Sequence, residues 1–149
     1  MARDNFNLED ALRGLGESIQ ESAALPNLYN YKASPKQEAF HALPQKARLY
    51  IGGNRSGKSL GSTIEGIYWV TKTHPFRKMP DEPIRGRVVA VDFLNGVDKI
   101  ILPLWKQWLP KKYLINGSWE DSYSRERHVL TLNNGSFVEF MSQDQDLDK

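Results

Sequence analysis

Cysteine is absent from the 149 residues of this chain. That excludes a disulfide scaffold and any cysteine-ligated metal, and it suits a reducing compartment. An excess of one charge is also missing. Lys and Arg total 20 and Asp and Glu total 18, a formal net charge of +2, too balanced to argue nucleic-acid binding by itself. No apolar run is long enough to span a membrane. The start, Met1-Ala2-Arg3-Asp4-Asn5-Phe6, lacks the apolar core of a signal peptide. What the chain does have is 40% hydrophobic residues, with 4 Trp, 6 Tyr and 6 Phe. That suffices for a core, and the length sets one domain as the expectation.

The most informative stretch is Gly52-Gly53-Asn54-Arg55-Ser56-Gly57-Lys58-Ser59, which fits the phosphate-loop pattern G-x-x-x-x-G-K-[ST]. Ala47-Arg48-Leu49-Tyr50-Ile51 before it reads as a short strand, and Lys58 to about Thr71 after it reads as a helix. Strand, loop and helix in that order are the context the motif requires. Gly52, Gly53 and Gly57 let the backbone turn successive N–H groups inward on an anion. The helix start adds unpaired N–H groups and partial positive charge. Lys58 is then placed for the β- and γ-phosphates, and the Ser59 hydroxyl for Mg²⁺. A Gly-rich surface turn with an incidental lysine is the plain alternative. By chance the pattern arises in about one chain of this length in a few hundred, so nucleotide binding is the reading taken forward.

Ahead of the loop, residues 7–23 read as an amphipathic helix. Asn7 is its cap, and Leu8, Leu12, Leu15 and Ile19 form one stripe. It packs on its own domain or serves as a docking arm for a partner. A linker through residue 33 leads to Ser34-Pro35-Lys36-Gln37. There Ser34 is the N-cap, Pro35 the first helical residue and Gln37 the closing member of a capping box. On spacing alone Gln37 caps its helix, which Pro44 stops.

Beyond the loop helix, residues 76–86 are a loop. Arg77, Lys78, Arg85 and Arg87 give it, or the strand that follows, either a solvated or a DNA-facing charge. Arg87-Val88-Val89-Ala90-Val91-Asp92 reads as a parallel strand buried on both faces, closing a right-handed βαβ unit with the strand before the loop. A helix follows from Asn95-Gly96 to Leu109-Pro110, with Pro103 either kinking it or starting its regular turn. Trp105 and Trp108 on it read as core. From Ser118 the period changes to two. Arg127–Leu132 and Ser136–Ser142 are strands joined by Asn133-Asn134-Gly135. The polar residues 143–149 look like the start of a connection.

Taken together, these residues resemble the N-terminal half of the ATPase domain of phage large terminases, motors that pump viral DNA into procapsids. The resemblance rests on Ser34 to Phe40, the loop Gly52–Ser59, the strand ending at Asp92, the helix ending Trp108-Leu109-Pro110 and the Asn-Asn-Gly hairpin, over roughly residues 30–149. It implies an α/β P-loop NTPase core of the ASCE, RecA-like type, incomplete, with an N-terminal helical arm (1–33) and a C-terminal β-hairpin within 34–149. It implies that Gln37 recognises adenine, that Lys58 and Ser59 contact phosphate and Mg²⁺ of ATP, and that Arg55 senses or stabilises the γ-phosphate. It also implies double-stranded DNA, a small terminase subunit and a portal protein as partners. The setting would be the host cytoplasm and, transiently, the procapsid portal, with subunits in a ring. The family's metal-binding Asp and catalytic Glu lie on a later strand that residues 1–149 do not contain, and neither is the nuclease domain among them. ATP binding with poor hydrolysis is therefore expected.

Two other readings stay open. One is a complete small P-loop NTPase or kinase-like enzyme, with Asp92 as its metal-shell acid. The other is a non-enzymatic module that docks through residues 7–23.

Overall fold

The computed structural model describes residues 27–143, together with Glu9, Leu12, Arg13 and Gly16. Those four lie in helical conformation, and the rest of the arm predicted over 7–23 is outside the described residues, as is the connection over 144–149. Among the described residues no helix is long and apolar enough to cross a membrane.

The first helix, α1 (Pro35–Ala42), forms as its cap dictates. The Ser34 hydroxyl accepts the Gln37 N–H, the Gln37 side chain accepts the Ser34 N–H at 2.9 Å, and Pro35 occupies the first turn. Helix α2 (Lys58–Thr71) spans the residues read as helical and carries Ile64, Ile67, Val70 and Thr71 inward. Lys72 ends it in left-handed conformation, its N–H returning to Trp69 and Tyr68 carbonyls.

The sheet is mixed α/β architecture in miniature: β1 (Arg85–Ala90), β2 (Tyr123–Ser124), β3 (Val129–Thr131) and β4 (Phe137–Ser142), in the order β1-β4-β3-β2. β1 lies parallel to β4, Val88 opposite Phe140, while β3 runs antiparallel to β4, Leu130 opposite Val138. The hairpin turn closes where Asn133-Asn134-Gly135 predicts it. Gly135 takes a φ of +81°, its N–H bonds Leu132 O, and Asn134 Nδ2 ties the turn to Val70 O at 2.8 Å.

Three expectations are corrected here. Ala47–Ile51 is not a strand: among the described residues nothing pairs with it, and Leu49 and Ile51 are each 80% exposed. An extended segment counts as a strand only when a neighbour takes its backbone groups, and β1, which would close the βαβ unit with it, bonds β4 instead. β1 itself begins two residues earlier than read and is parallel as expected, but it is not buried on both faces. Arg85, Arg87 and Val89 are exposed while Gly86, Val88 and Ala90 turn inward. Among the described residues the helices pack on the face of Val88 and Phe140, and on the opposite, partly exposed face Arg87 pairs with Glu139 at 2.8 Å and Arg85 lies over the Phe137 ring. Finally, Ser118 caps a short helix, α4 (Trp119–Ser122), so the period of two starts at Tyr123.

The alternatives at Pro103 resolve in favour of a fresh start. Phe93–Ile101 winds as a π-helix, and regular α3 (Leu102–Trp108) begins with Pro103 in its first turn, where its missing N–H costs nothing. The core lies between α2, α3 and the covered sheet face. Trp105 is 1% exposed and meets Phe140 edge-on at 5.6 Å, with Ile64, Ile67, Val97, Leu130 and Val138 around them. Trp108 is half-buried, its ring edge-on to Tyr31 at 5.8 Å.

Candidate functional site

The loop Gly52–Ser59 enters α2 with no side-chain cap and no acidic residue in the helix's first turn. The first N–H groups of α2 therefore lack a side-chain acceptor, and no carboxylate there competes for an anion. Gly57 holds the N-cap position at φ +80°, a conformation that L side chains avoid, and Arg55 sits at φ +62°. A Cβ at Gly52 would lie 2.6 Å from Ser56 Oγ, so a side chain there would require Ser56 to shift. Ser56 N–H bonds Gly53 O at 3.3 Å and Gly61 N–H bonds Gly57 O at 2.8 Å. Left-handed turns running into a helix start are the backbone arrangement in which successive N–H groups can form an anion-binding concavity.

Lys58 folds its ammonium over that concavity. Nζ donates to Gly52 O, to Gly53 O at 2.6 Å and to Ser56 Oγ at 3.5 Å. The ammonium is thus held at the loop's mouth by carbonyls that a triphosphate oxygen can replace. Asn54, Arg55, Ser56 and Ser59 are exposed, and Gly53 has open space where a side chain would be. The donor set fits a polyphosphate. For a cation the chain offers the Ser59 hydroxyl, and among the described residues no group of three His, Cys, Asp or Glu could hold a metal ion. A Mg²⁺ here would depend on the phosphates for its remaining ligands.

Gln37 is buried and its amide is committed at both ends. The oxygen caps α1, and Nε2 donates to Gly57 O at 3.1 Å. Capping, the reading from spacing, is what its oxygen does. The nitrogen that the resemblance assigns to adenine is here a brace on the loop.

A cleft of about 1070 Å³ runs from Lys58 and Ser59 along α2 to Pro83–Val89 on the free edge of β1, with Tyr50 on its wall. Asp92 does not line it. Its carboxylate caps the following helix, accepting the Asn95 N–H at 2.6 Å. Nor is Arg77 a free surface cation: it donates to Leu43 O and Gln45 O and lies 5.7 Å over Trp69.

Sequence reasoning missed Glu65 altogether. It lies on α2 beside Ile64, 8% exposed, and its carboxylate accepts from His41 Nδ1 (2.7 Å), Trp69 Nε1 (2.9 Å), His74 Nε2 (3.2 Å) and Arg48. Burial alone would raise its pKa. The hydrogen bonds from His41, Arg48 and Trp69 and the charge of Arg48 outweigh burial and hold it at about 2. The available signal was an acid inside an apolar stripe, with two of the chain's three histidines near in sequence.

Comparison with protein-family models, curated proteins and solved structures returns no match. The assignment of the site therefore rests on its geometry and chemistry.

Proposed function

We propose that residues 34–143 form the Mg²⁺-ATP-binding part of a DNA-packaging motor ATPase of the phage large-terminase kind. The observation that carries this reading is the loop. Left-handed turns at Arg55 and Gly57 lead into an uncapped helix, with the Lys58 ammonium poised over them. When bound, Mg²⁺-ATP supplies a phosphoanhydride whose hydrolysis drives work. The loop's free backbone N–H groups would hold its phosphates, with Lys58 on the β- and γ-oxygens, Ser59 on the metal and Arg55 toward the γ-phosphate. Gln37 recognises adenine if its amide nitrogen exchanges Gly57 O for the base, and otherwise fixes the loop from behind.

Hydrolysis needs more than these residues. Glu65 is the one acid among the residues lining the cleft, and four donors saturate it, so it is no base for water. The acids of the motor enter on a further strand. The cleft suits one, because among the described residues β1 bonds β4 on one side only and leaves its other edge and Val89 open. In the complete motor that strand couples hydrolysis to translocation of double-stranded DNA. The DNA is held mainly through phosphates and hence salt-dependently, in a ring that meets the small terminase and the portal.

The reading is tested by titrating this chain with Mg²⁺-ATP while assaying phosphate release. Saturable binding without sustained turnover is expected, and turnover like that of a complete motor contradicts it. The kinase-like alternative is tested by Asp92→Asn. Asparagine keeps the helix cap, so nucleotide affinity is expected to stay within about twofold. A strong loss of Mg²⁺-dependent binding would restore Asp92 as a metal-shell acid.

A further inference from the structure

We propose that Glu65 is a positioning residue that sets the geometry of the nucleotide-binding loop from both of its sides, an inference that rests on the reading of the loop given above. The loop hangs between two supports. On the upstream side is Arg48, shortly before Gly52. On the downstream side is Gln37, whose amide holds Gly57 O at 3.1 Å. One support is fastened to the Glu65 carboxylate directly, and the helix that carries the other is fastened to it through His41. Arg48 donates to Glu65 Oε1 directly. His41, one turn beyond Gln37 on α1, donates to Glu65 Oε2 at 2.7 Å. Arg48 also donates to Phe40 O at 3.0 Å and lies 4.9 Å over the Phe40 ring, which locks the upstream segment to α1.

The protons at this hub are fixed by its surroundings. His74 Nδ1 accepts the Phe76 N–H at 3.1 Å, so its Nε2 carries the hydrogen that points at Glu65. His41 Nε2 faces the Tyr31 hydroxyl at 3.2 Å, and burial, with Tyr68 and Tyr50 nearby, pushes that phenol up to about 12, so it keeps its proton. Nδ1 of His41 is then the donor to the carboxylate. Every group on Glu65 is a donor; His41 and His74 are buried, and Arg48 and Trp69 are partly so. A neutral, apolar side chain would fill this place at lower desolvation cost. What the carboxylate adds is direction: it draws Arg48 and His41 to one point and so fixes the distance between the loop's two ends.

The test compares Kd for Mg²⁺-ATP in the wild type, Lys58→Ala, Glu65→Gln, Gln37→Ala and the Glu65→Gln/Gln37→Ala double variant, with thermal unfolding run on each. Glutamine keeps the shape of Glu65 but turns an amide N–H₂ toward donors. In Glu65→Gln that remains folded at the assay temperature, Kd is expected to rise about tenfold. The loss in the double variant is expected to be smaller than the product of the single losses, because Glu65 acts through Gln37. Wild-type affinity in folded Glu65→Gln, with only the melting temperature lowered, overturns the inference, as does full multiplicativity. If Glu65→Gln does not fold, His41→Leu and His41→Asn replace it. Asparagine can restore the lost Nδ1–H donor, so the leucine variant is expected to bind several-fold more weakly and the asparagine variant to recover most of the affinity. Equal affinity in both overturns the inference. Failure of the loop reading is separate: there, Lys58→Ala binds as well as wild type.

Discussion

Lys58→Ala is expected to raise the Kd for Mg²⁺-ATP by about 100-fold or more. On the proposed reading the ammonium makes charge-assisted hydrogen bonds to phosphate oxygens, and losing two such bonds removes enough free energy for that factor. Stability should change little. Lys58 is half-buried and bonds only to its own loop, at Gly52, Gly53 and Ser56. The two effects therefore separate: affinity falls while the unfolding midpoint stays within a few degrees. Arginine is not a substitute, since its planar fork does not fit a point contact reached over the loop. Fluorescence titration with a labelled nucleotide and thermal unfolding on the same samples measure both quantities. Unchanged affinity in Lys58→Ala would mean that the Gly52–Ser59 loop is a turn and nothing more.

Glu65→Leu should be the most destabilising single change outside the apolar core, by about 3–5 kcal/mol, because it leaves the Arg48 charge and three further donors without their shared acceptor in a largely buried place. The same residue sets the acid limit of the fold. With its folded pKa near 2 and an ordinary value of 4.5, the carboxylate contributes stability that is complete above about pH 4.5 and is lost as pH falls toward 2. The full contribution is about 3 kcal/mol. His74 acts earlier and in the same sense. Burial, reinforced by Arg77 and Arg48 against the pull of Glu65, lowers its pKa below 6.5. The unfolded chain therefore binds a proton that the folded chain resists, and stability begins to fall below about pH 6.5. Urea unfolding from pH 7 to pH 2.5 should show both losses in the wild type, and Glu65→Leu should lack the one below pH 4.5. An identical acid limb in the two proteins would contradict the hub.

Much of this arrangement was legible in the sequence because it is written locally. The capping box Ser34–Gln37, the span of α2 from Lys58 to Thr71 and the Asn-Asn-Gly hairpin each depend on a few neighbouring residues. The failures depend on partners far along the chain. Ala47–Ile51 has the composition of a strand, but pairing is decided by a neighbour that composition does not reveal. β1 has the apolar run of a doubly covered strand, yet its outward residues Arg85, Arg87 and Val89 are exposed. The Glu65 hub joins residues 31, 41, 48, 65, 69 and 74, and only the folded packing of α1 against α2 brings them together. The loop's chemistry was legible. The network that supports the loop was not, because each of its members has an ordinary local reading.

The most direct test of nucleotide binding is amide chemical-shift mapping with a non-hydrolysable ATP analogue and Mg²⁺. Binding at the loop predicts saturable shifts concentrated on the amides of Gly53 to Leu60, with Gln37 and its side-chain amide following, and none of these in Lys58→Ala. Saturating shifts that spare Gly53 to Leu60, or no shifts at millimolar nucleotide, would contradict the assignment of this loop as the site.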